Sequence, residues 1–571
     1  MDFQRNILIV ALLVVSYFLF LSWQQDYAQQ PPQDVAAVTA GAAATPATGS
    51  HVSPATPGIP APVSAGEFSD IAPISQAPDA PATTTGTASA SRITVHTDVL
   101  DLAIDLAGGD VVELTLPKYS TSLEHRDTPV RLMTTQGRTY VAQSGLVSDR
   151  GPDLPDGQRA SYTADAARFE LADGQDTLEV VLHLAAKDGV AVDKVFRFRR
   201  GDYLVDVIYR LRNDSAQPWN GFLFGQLKRD GYGDPSHPDA GFLSATPTYL
   251  GGAYFSDEQT YNKTDFSDVQ EKPLKLDAQG GWIAFIQHYF IGAWIPAQQQ
   301  RNTFFTRYRA DEGSYMYGFS SGVTVPAGAS QEIQAGFYAG PKLQDRLEEI
   351  STGLDLTVDY GWFWFIAQPL FWLLVQLHAL FGNWGVAIIL LTVAVKILFY
   401  YPSHVSYRSM AHMRRITPEL MRLREEYKND RQKQAQEMMN LYRKEKVNPL
   451  GGCLPILVQM PVFIALYWVL LESVELRQAP FMLWIHDLSV MDPYFVLPIL
   501  MGISMWIQMK LNPAPPDPMQ AKMMQWLPWI FTVFFLFFAS GLVLYWLVNN
   551  ILSIAQQWYI TRQIERQHAK A

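Results

Sequence analysis

Cysteine is nearly missing from this chain. Cys453 is the only one in 571 residues, which excludes any intrachain disulfide. Every domain must therefore stand on packing and hydrogen bonding, whatever redox compartment it occupies. Charge is scarce as well: 17% of residues are charged against 48% hydrophobic, a poor ratio for a soluble protein. The histidines at 183, 237 and 288 are scattered rather than set at metal-ligand spacing, and isolated histidines of this kind are ordinarily satisfied or solvated. No nucleophile elbow or phosphate loop accompanies them. The long apolar runs contain no Asp or Glu, which argues against an ion-driven pump, since such pumps use intramembrane acids.

What is present is unevenly distributed. Residues 24–340 hold 23 Lys+Arg against 37 Asp+Glu, a net of −14, whereas residues 341–571 hold 20 against 17, a net of +3. An acidic half and a basic half predict different surroundings. Residues 1–23 contain an uncharged run at 7–23 that predicts an uncleaved transmembrane anchor, because the following SWQQDYAQQ offers no small-residue cleavage site. Residues 24–91 are rich in Ala, Pro, Thr, Ser and Gly and read as a disordered tether, unable to bury enough apolar surface to fold. From 92 to 340 short alternating runs such as DTLEVVLHL and KVFRFRR–GD–YLVDVIYRLRND predict a β-sandwich. No catalytic motif is legible in that domain.

The remaining chain predicts helices. Residues 341–360 are polar with leucines at helical spacing, and 361–381 is long and apolar enough to span a bilayer. Apolar runs follow at 384–402, 454–471, 494–509, 526–538 and 542–559. Between them, 403–453 carries eleven Lys/Arg against six acids, so the positive-inside rule makes it cytoplasmic. The loop 472–493 carries Arg477 against four acids and is expected on the outside; 510–525 and the tail 560–571 are expected inside. If both 361–381 and 384–402 spanned, the basic segment would be outside. Parity therefore predicts that 341–381 forms amphipathic interfacial helices, with Trp362, Trp364 and Trp372 at headgroup level. Six spans result, with both termini cytoplasmic. The run 526–538 is only 13 residues, about 20 Å of helix against about 30 Å of hydrocarbon, so a locally thinned bilayer is expected there.

Two features stand out as candidate chemistry. Lys396 is the one charge in the run 384–402, with Thr392 on the same helix face four residues earlier. A lysine near a helix end can snorkel to the interface, or it can line a watery cavity, and the sequence leaves these even. Other apolar helices carry Gln459, Thr532, Asn549 and Ser553, which taken singly suit helix–helix hydrogen bonds. The segment 403–453 has a heptad-like stripe, Met413, Ile416, Leu420, Leu423 and Tyr427, facing Ala435, Met438 and Tyr442 across a turn at Lys428-Asn429-Asp430. This predicts a two-helix hairpin. Its basic surface is either simply solvated or a dock for acidic lipid, ribosomal RNA or a nascent chain.

The run KVNPLGGCLPILVQMPVFIALYWVLLESVELRQAPFMLWIHDLSVMDPYFVLPILMG at 446–502, with DPMQ at 517–520 and SGLVLYWLVNN at 540–550, closely resembles the YidC-type membrane protein insertases. The resemblance covers residues 1–23 and about 340–565, and extends to the β-domain by position and pattern. It implies a multidomain membrane protein: an N-terminal anchor helix, a periplasmic β-sandwich and a five-helix transmembrane core with a cytoplasmic hairpin. It implies a hydrophilic groove, closed to the outside, in which a cation attracts the acidic part of a substrate while the substrate's apolar helix slides into thinned bilayer. On this reading the groove holds Lys396, Thr392, Gln459, Thr532, Tyr545, Trp546, Asn549 and Ser553. Arg408, Arg414, Arg415, Arg422 and Arg424 would be the hairpin's contacts. The family usually has arginine where Lys396 stands and often paired tyrosines where Tyr545-Trp546 stands; a point charge suffices to steer a carboxylate, although lysine lacks arginine's fork.

The implied activity is insertion and folding of inner-membrane proteins, alone or with the Sec translocon and its accessory subunits, with no enzymatic step, cofactor, metal or small-molecule substrate. The implied partners are nascent membrane proteins, the ribosome and the phospholipid bilayer. A polytopic solute transporter is the alternative, and a carbohydrate-processing β-domain a third reading, which would need carboxylates that converge in one cleft.

Overall fold

The computed structural model describes residues 91–155, 157–233, 248–445, 454–512 and 518–568. The expected anchor at 1–23, nearly all of the tether at 24–91, and the stretch 446–453 with Cys453 lie outside the described residues.

The alternating runs form two packed sheets. One has ten strands and the other nine. Pairing is antiparallel throughout the named strands except where Arg92–His96 meets Arg168–Glu170. The run around Arg200-Gly201-Asp202 is a hairpin as its pattern predicts, with Val190–Arg199 pairing Leu204–Asn213 in the register Asp206↔Arg197. Alternation decides the faces: in Arg92–His96 only Ile93 and Val95 are buried. Strands covered on both sides lose the alternation, as in Trp282–Ile286 and Phe290–Ile295, where every residue is buried. Each large side chain in this core contributes roughly 1.5–3 kcal/mol by leaving water. The short helix α1 (Phe266–Glu271) connects strands within the domain.

The last strand, Ser330–Pro341, delivers the chain to α2 (Gln344–Ile350) and then to α3 (Trp364–Phe381). Gly361–Phe381 is long and apolar enough to cross a membrane by length and composition, yet only 17% of its apolar window is buried inside the protein. Helix α3 stops at Gly382, which takes the left-handed conformation (φ 65°) and donates its N–H to the His378 carbonyl. Asn383 then caps α4 (Trp384–Leu398) by accepting from the Val386 N–H, and its amide donates to the Phe481 carbonyl at 2.8 Å.

The sequence pattern runs apolar to Pro402, but α4 ends at Leu398. A second helix, α5 (Tyr400–Glu426), departs at 69° to it. The reason is local. In one continuous helix the Pro402 ring would strike the Leu398 carbonyl, whereas in the first turn of a new helix its missing N–H has no bond to lose. Helix α5 continues directly into the basic hairpin and turns back through α6 (Arg431–Lys444), whose N-cap Asp430 accepts from the Lys433 N–H.

The rest of the core is α7 (Leu454–Glu472), α8 (Val496–Leu511), α9 (Pro518–Phe535) and α10 (Ser540–His568). Asp492, fully buried, holds the start of α8: it accepts from the Tyr494 and Leu497 N–H groups and from the Trp484 indole. The expected short run at 526–538 lies in a helix that begins eight residues earlier and stops three short. Of this helix the part from Trp526 is apolar, with Trp526, Trp529, Ile530 and Val533 exposed, while Lys522 and Gln525 precede it.

Candidate functional site

Lys396 sits in the last turn of α4, two residues before the helix ends. Its ammonium donates to the Ser553 hydroxyl on α10 at 2.8 Å. Ser553 donates in turn to the Asn549 carbonyl at 2.7 Å, one turn earlier on the same helix. No carboxylate faces Lys396 as an ion-pair partner among the described residues. The cation is therefore held by a neutral hydroxyl and keeps its charge uncompensated. Tyr407, buried on α5, packs with Met410 and with Ile560 of α10.

The other expected groove residues divide. Gln459 on α7 donates to the Tyr545 hydroxyl on α10 at 2.8 Å, a second polar tie between helices. Trp546 packs edge-on against Phe463 at 4.4 Å and lies 5.0 Å from Phe535, inside an aromatic cluster. Asn549 is half-buried, and its side-chain oxygen is buried without a hydrogen-bond partner among the described residues. Thr392 is fully buried and donates to the Ile388 carbonyl of its own helix at 2.7 Å; although it shares a face with Lys396, it is packed. Thr532 likewise donates to the Pro528 carbonyl, and it lies where α9 crosses α8 so closely that a Cβ at Gly502 would overlap its hydroxyl.

Sequence reasoning missed one further polar tie between these helices. Ser504 accepts from the Asn550 amide at 3.1 Å and donates to the Met501 carbonyl. A serine in an apolar run was its only mark.

The hairpin seam is centred on buried Ile416, Leu420 and Leu441, with Met413, Leu423, Met438 and Tyr442 packed around them. Leu441, next to the expected Tyr442, is the residue that fills the seam. Arg408, Arg414, Arg415 and Arg422 are exposed, and Arg424 is half-buried. Arg415 pairs with Glu445 across the hairpin at 3.1 Å.

On the opposite side, the loop after α7 grips the sandwich. Lys342 and Glu472 form a buried ion pair at 2.8 Å. Arg477 donates to the Ser120 and Thr121 carbonyls at 2.7 and 3.1 Å and lies over the Tyr289 and Phe290 rings. His288, one of the scattered histidines, is buried, and its Nε2 meets the Leu471 carbonyl at 3.0 Å. Glu475 beside them is pushed up to about 7, chiefly by burial and also by the nearby Asp345 carboxylate.

Two family descriptions match in tandem: YidC periplasmic domain over residues 92–373 and 60Kd inner membrane protein over residues 376–567. The membrane protein insertase YidC of Stutzerimonas stutzeri (strain A1501) is 54% identical over 567 residues, 99% of each chain. Its namesake in Pseudomonas putida (strain W619) is 52% identical over 577 residues, 100% of each. Among solved structures, an active YidC insertase with its first transmembrane domain resolved is similar at 18% identity, over 83% of this chain and 93% of that one, with a TM-score of 0.37.

Proposed function

This chain belongs to the YidC family of membrane protein insertases, and on that premise we propose how its parts divide the work. It is an inner-membrane protein with a periplasmic β-sandwich domain, and its family is one of insertases rather than enzymes. The finer reading is that Lys396 is the charge that draws the acidic, hydrophilic part of a nascent membrane protein into the core. The observation carrying it is that the ammonium is fixed between helices by Ser553 and has no carboxylate partner among the described residues. A buried ion pair would have spent that charge internally; a hydroxyl leaves it available to a passing anion.

Gln459, Tyr545, Trp546, Asn549 and Ser553 then form the groove wall around the cation, with Thr392 and Thr532 supporting the helix crossings from behind. The apolar face of α9, with Trp526, Trp529 and Ile530 exposed, suits the path by which the substrate's apolar helix meets lipid. The exposed arginines of the hairpin support a role in receiving the ribosome or the emerging chain, and the Sec translocon remains a proposed partner. The orientation that fits the charge count has both termini in the cytoplasm, with α3 along the outer interface.

The test is charge reversal. Lys396→Glu should lower insertion of substrates with acidic translocated tails by at least about tenfold, since opposite charges near 4 Å interact by several kcal/mol at intermediate dielectric. Lys396→Arg should retain it. Both are measured with purified full-length protein in vesicles; normal insertion by Lys396→Glu would remove the charge-attraction role. Photocrosslinking from Lys396, Thr392 and Tyr545 to a stalled nascent chain checks the groove itself.

A further inference from the structure

The junction between the sandwich and the helical core encloses a basic pocket that the groove reading leaves unused. It is a cavity of about 330 Å³, set between the end of the strand Asp110–Ser120 and the loop after α7. Lys118, Ser120 and Arg126 line it from the sandwich, and Gln478 and His486 from the loop. The rest of its lining is proline and leucine, with no Asp or Glu. Such a lining is unexpected here, because residues 24–340 and the loop 472–493 are both acidic overall.

We propose that this pocket binds the phosphodiester of an anionic phospholipid headgroup from the outer leaflet, and so ties the sandwich to the bilayer beside the core. The inference is independent of the role given to Lys396.

The chemistry of the walls selects an anion. Arg126 is exposed and forms no ion pair among the described residues, so its guanidinium can grip two phosphate oxygens at once. Lys118 has only a loose pair with Asp98 at 3.5 Å. That carboxylate also accepts the Gly201 N–H, at 2.9 and 3.0 Å to its two oxygens. Glu124 and Asp127, the acids beside Arg126 in sequence, are exposed and lie outside the lining. His486, also exposed, adds a ring N–H. The floor is built rather than adaptable: the Ser120 hydroxyl donates to the Gln478 side-chain oxygen at 2.6 Å, and the Gln478 amide donates to the Ser120 carbonyl at 3.0 Å. A cavity of this size takes a headgroup as well as a free anion.

The loop decides between those two sources. The Phe481 N–H donates to the Ile485 carbonyl at 3.0 Å, and the Ile485 N–H to the Met482 carbonyl at 3.1 Å. These bonds close a turn with Met482 and Leu483 at its tip, and Leu483 is 75% exposed. Val490, Met491 and Tyr494 on the same loop are exposed as well. Apolar side chains presented this way, beside the periplasmic domain of an inner-membrane protein, bury themselves at the boundary of headgroups and acyl chains. His486 follows that turn directly, which places the pocket at headgroup height above the tip.

The experiment uses the full chain in bilayer nanodiscs of phosphatidylcholine containing a phosphatidylglycerol analogue with a photoreactive headgroup. Peptide mass spectrometry locates the label, which should fall on the segments 117–126 and 478–486. The double variant Lys118→Gln, Arg126→Gln should lower that labelling by about tenfold, the scale of two cations beside an anionic headgroup. Both side chains are exposed, so the fold does not depend on them. Leu483→Asp, which leaves the pocket's charges in place, should lower it too. Labelling of the unmodified protein should fall as salt rises, a result that needs no variant to fold. Equal labelling by a phosphatidylcholine analogue carrying the same photoreactive group would overturn the proposal. So would unchanged labelling in the double variant or in Leu483→Asp. Loss of labelling to inorganic phosphate at modest excess would make this a soluble-anion site and overturn the lipid assignment.

Discussion

Lys194 and Glu475 show how much a single side chain's surroundings decide. Lys194 is fully buried between the sheets, and its ammonium donates to the Gly108, Gly109 and Ser144 carbonyls at 3.0, 2.7 and 2.9 Å. All three donors are used, and the Asp110–Arg159 pair lies beside it. Lys194→Met should therefore take its donor from the Gly109 carbonyl, leave the Gly108 and Ser144 carbonyls only their bonds from Arg159, and unbalance a charged cluster, lowering stability by about 3–5 kcal/mol. Thermal unfolding of the purified protein measures this. Glu475 makes a pH prediction. Its folded-state value of about 7 lies above the ordinary carboxylate value of 4.5, so the folded protein binds the proton more tightly than the unfolded chain. Stability from this group is present below pH 4.5 and is lost as pH rises through about 7. Glu475→Gln should accordingly raise the Tm at pH 8, by up to about 3 kcal/mol of stability, and change it little at pH 4. The same residue scale explains what sequence reading could and could not find. Lys396 was legible because a charge in an apolar run stands out. Ser553 was not legible as its holder, because a serine does not say which helix it will face.

At the scale of elements, the decisive event is the break at Phe399. Hydropathy runs smoothly through it, so the sequence predicts one helix to Pro402 and a separate hairpin beyond. The structure instead ends α4 at Leu398 and lets α5 carry both the end of that run and the first arm of the hairpin. Pro402→Ala removes the ring that forbids continuation. The expected result is a longer and broader distance distribution between spin labels on α4 and the hairpin tip. An unchanged distribution would assign the bend to the packing of Tyr407 and Met410 on α10. The hairpin seam, by contrast, was written in the stripe from Met413 to Leu423. On the partner arm Met438 and Tyr442 pack against the seam as their spacing predicts, and Leu441 joins them as its buried residue.

At the scale of the whole molecule, the contacts that join the sandwich to the helical core include Lys342–Glu472, His288 on the Leu471 carbonyl, Arg477 on Ser120 and Thr121, and Gln478, whose amide donates to the Ser120 carbonyl at 3.0 Å. Deleting residues 60–330 leaves Lys342 in place for Glu472, so the core should still insert substrates in vesicles; loss of all insertion would make the sandwich part of the machinery. Glu472→Gln should loosen the junction, by about 3–5 kcal/mol for an ammonium left buried without its partner. A double-mutant cycle with Lys342→Met measures it. The sequence by itself determined the two-sheet domain, the helical core, the basic hairpin and the one conspicuous cation, because periodicity and charge act locally and each residue carries its own share of them. The tertiary structure alone decided which hydroxyl holds that cation, where the first core helix bends, and which loop residues grip the sandwich. Those outcomes depend on pairs of groups far apart in the chain, Lys396 with Ser553 and Lys342 with Glu472, and no local pattern records a partner that only packing brings within hydrogen-bonding distance.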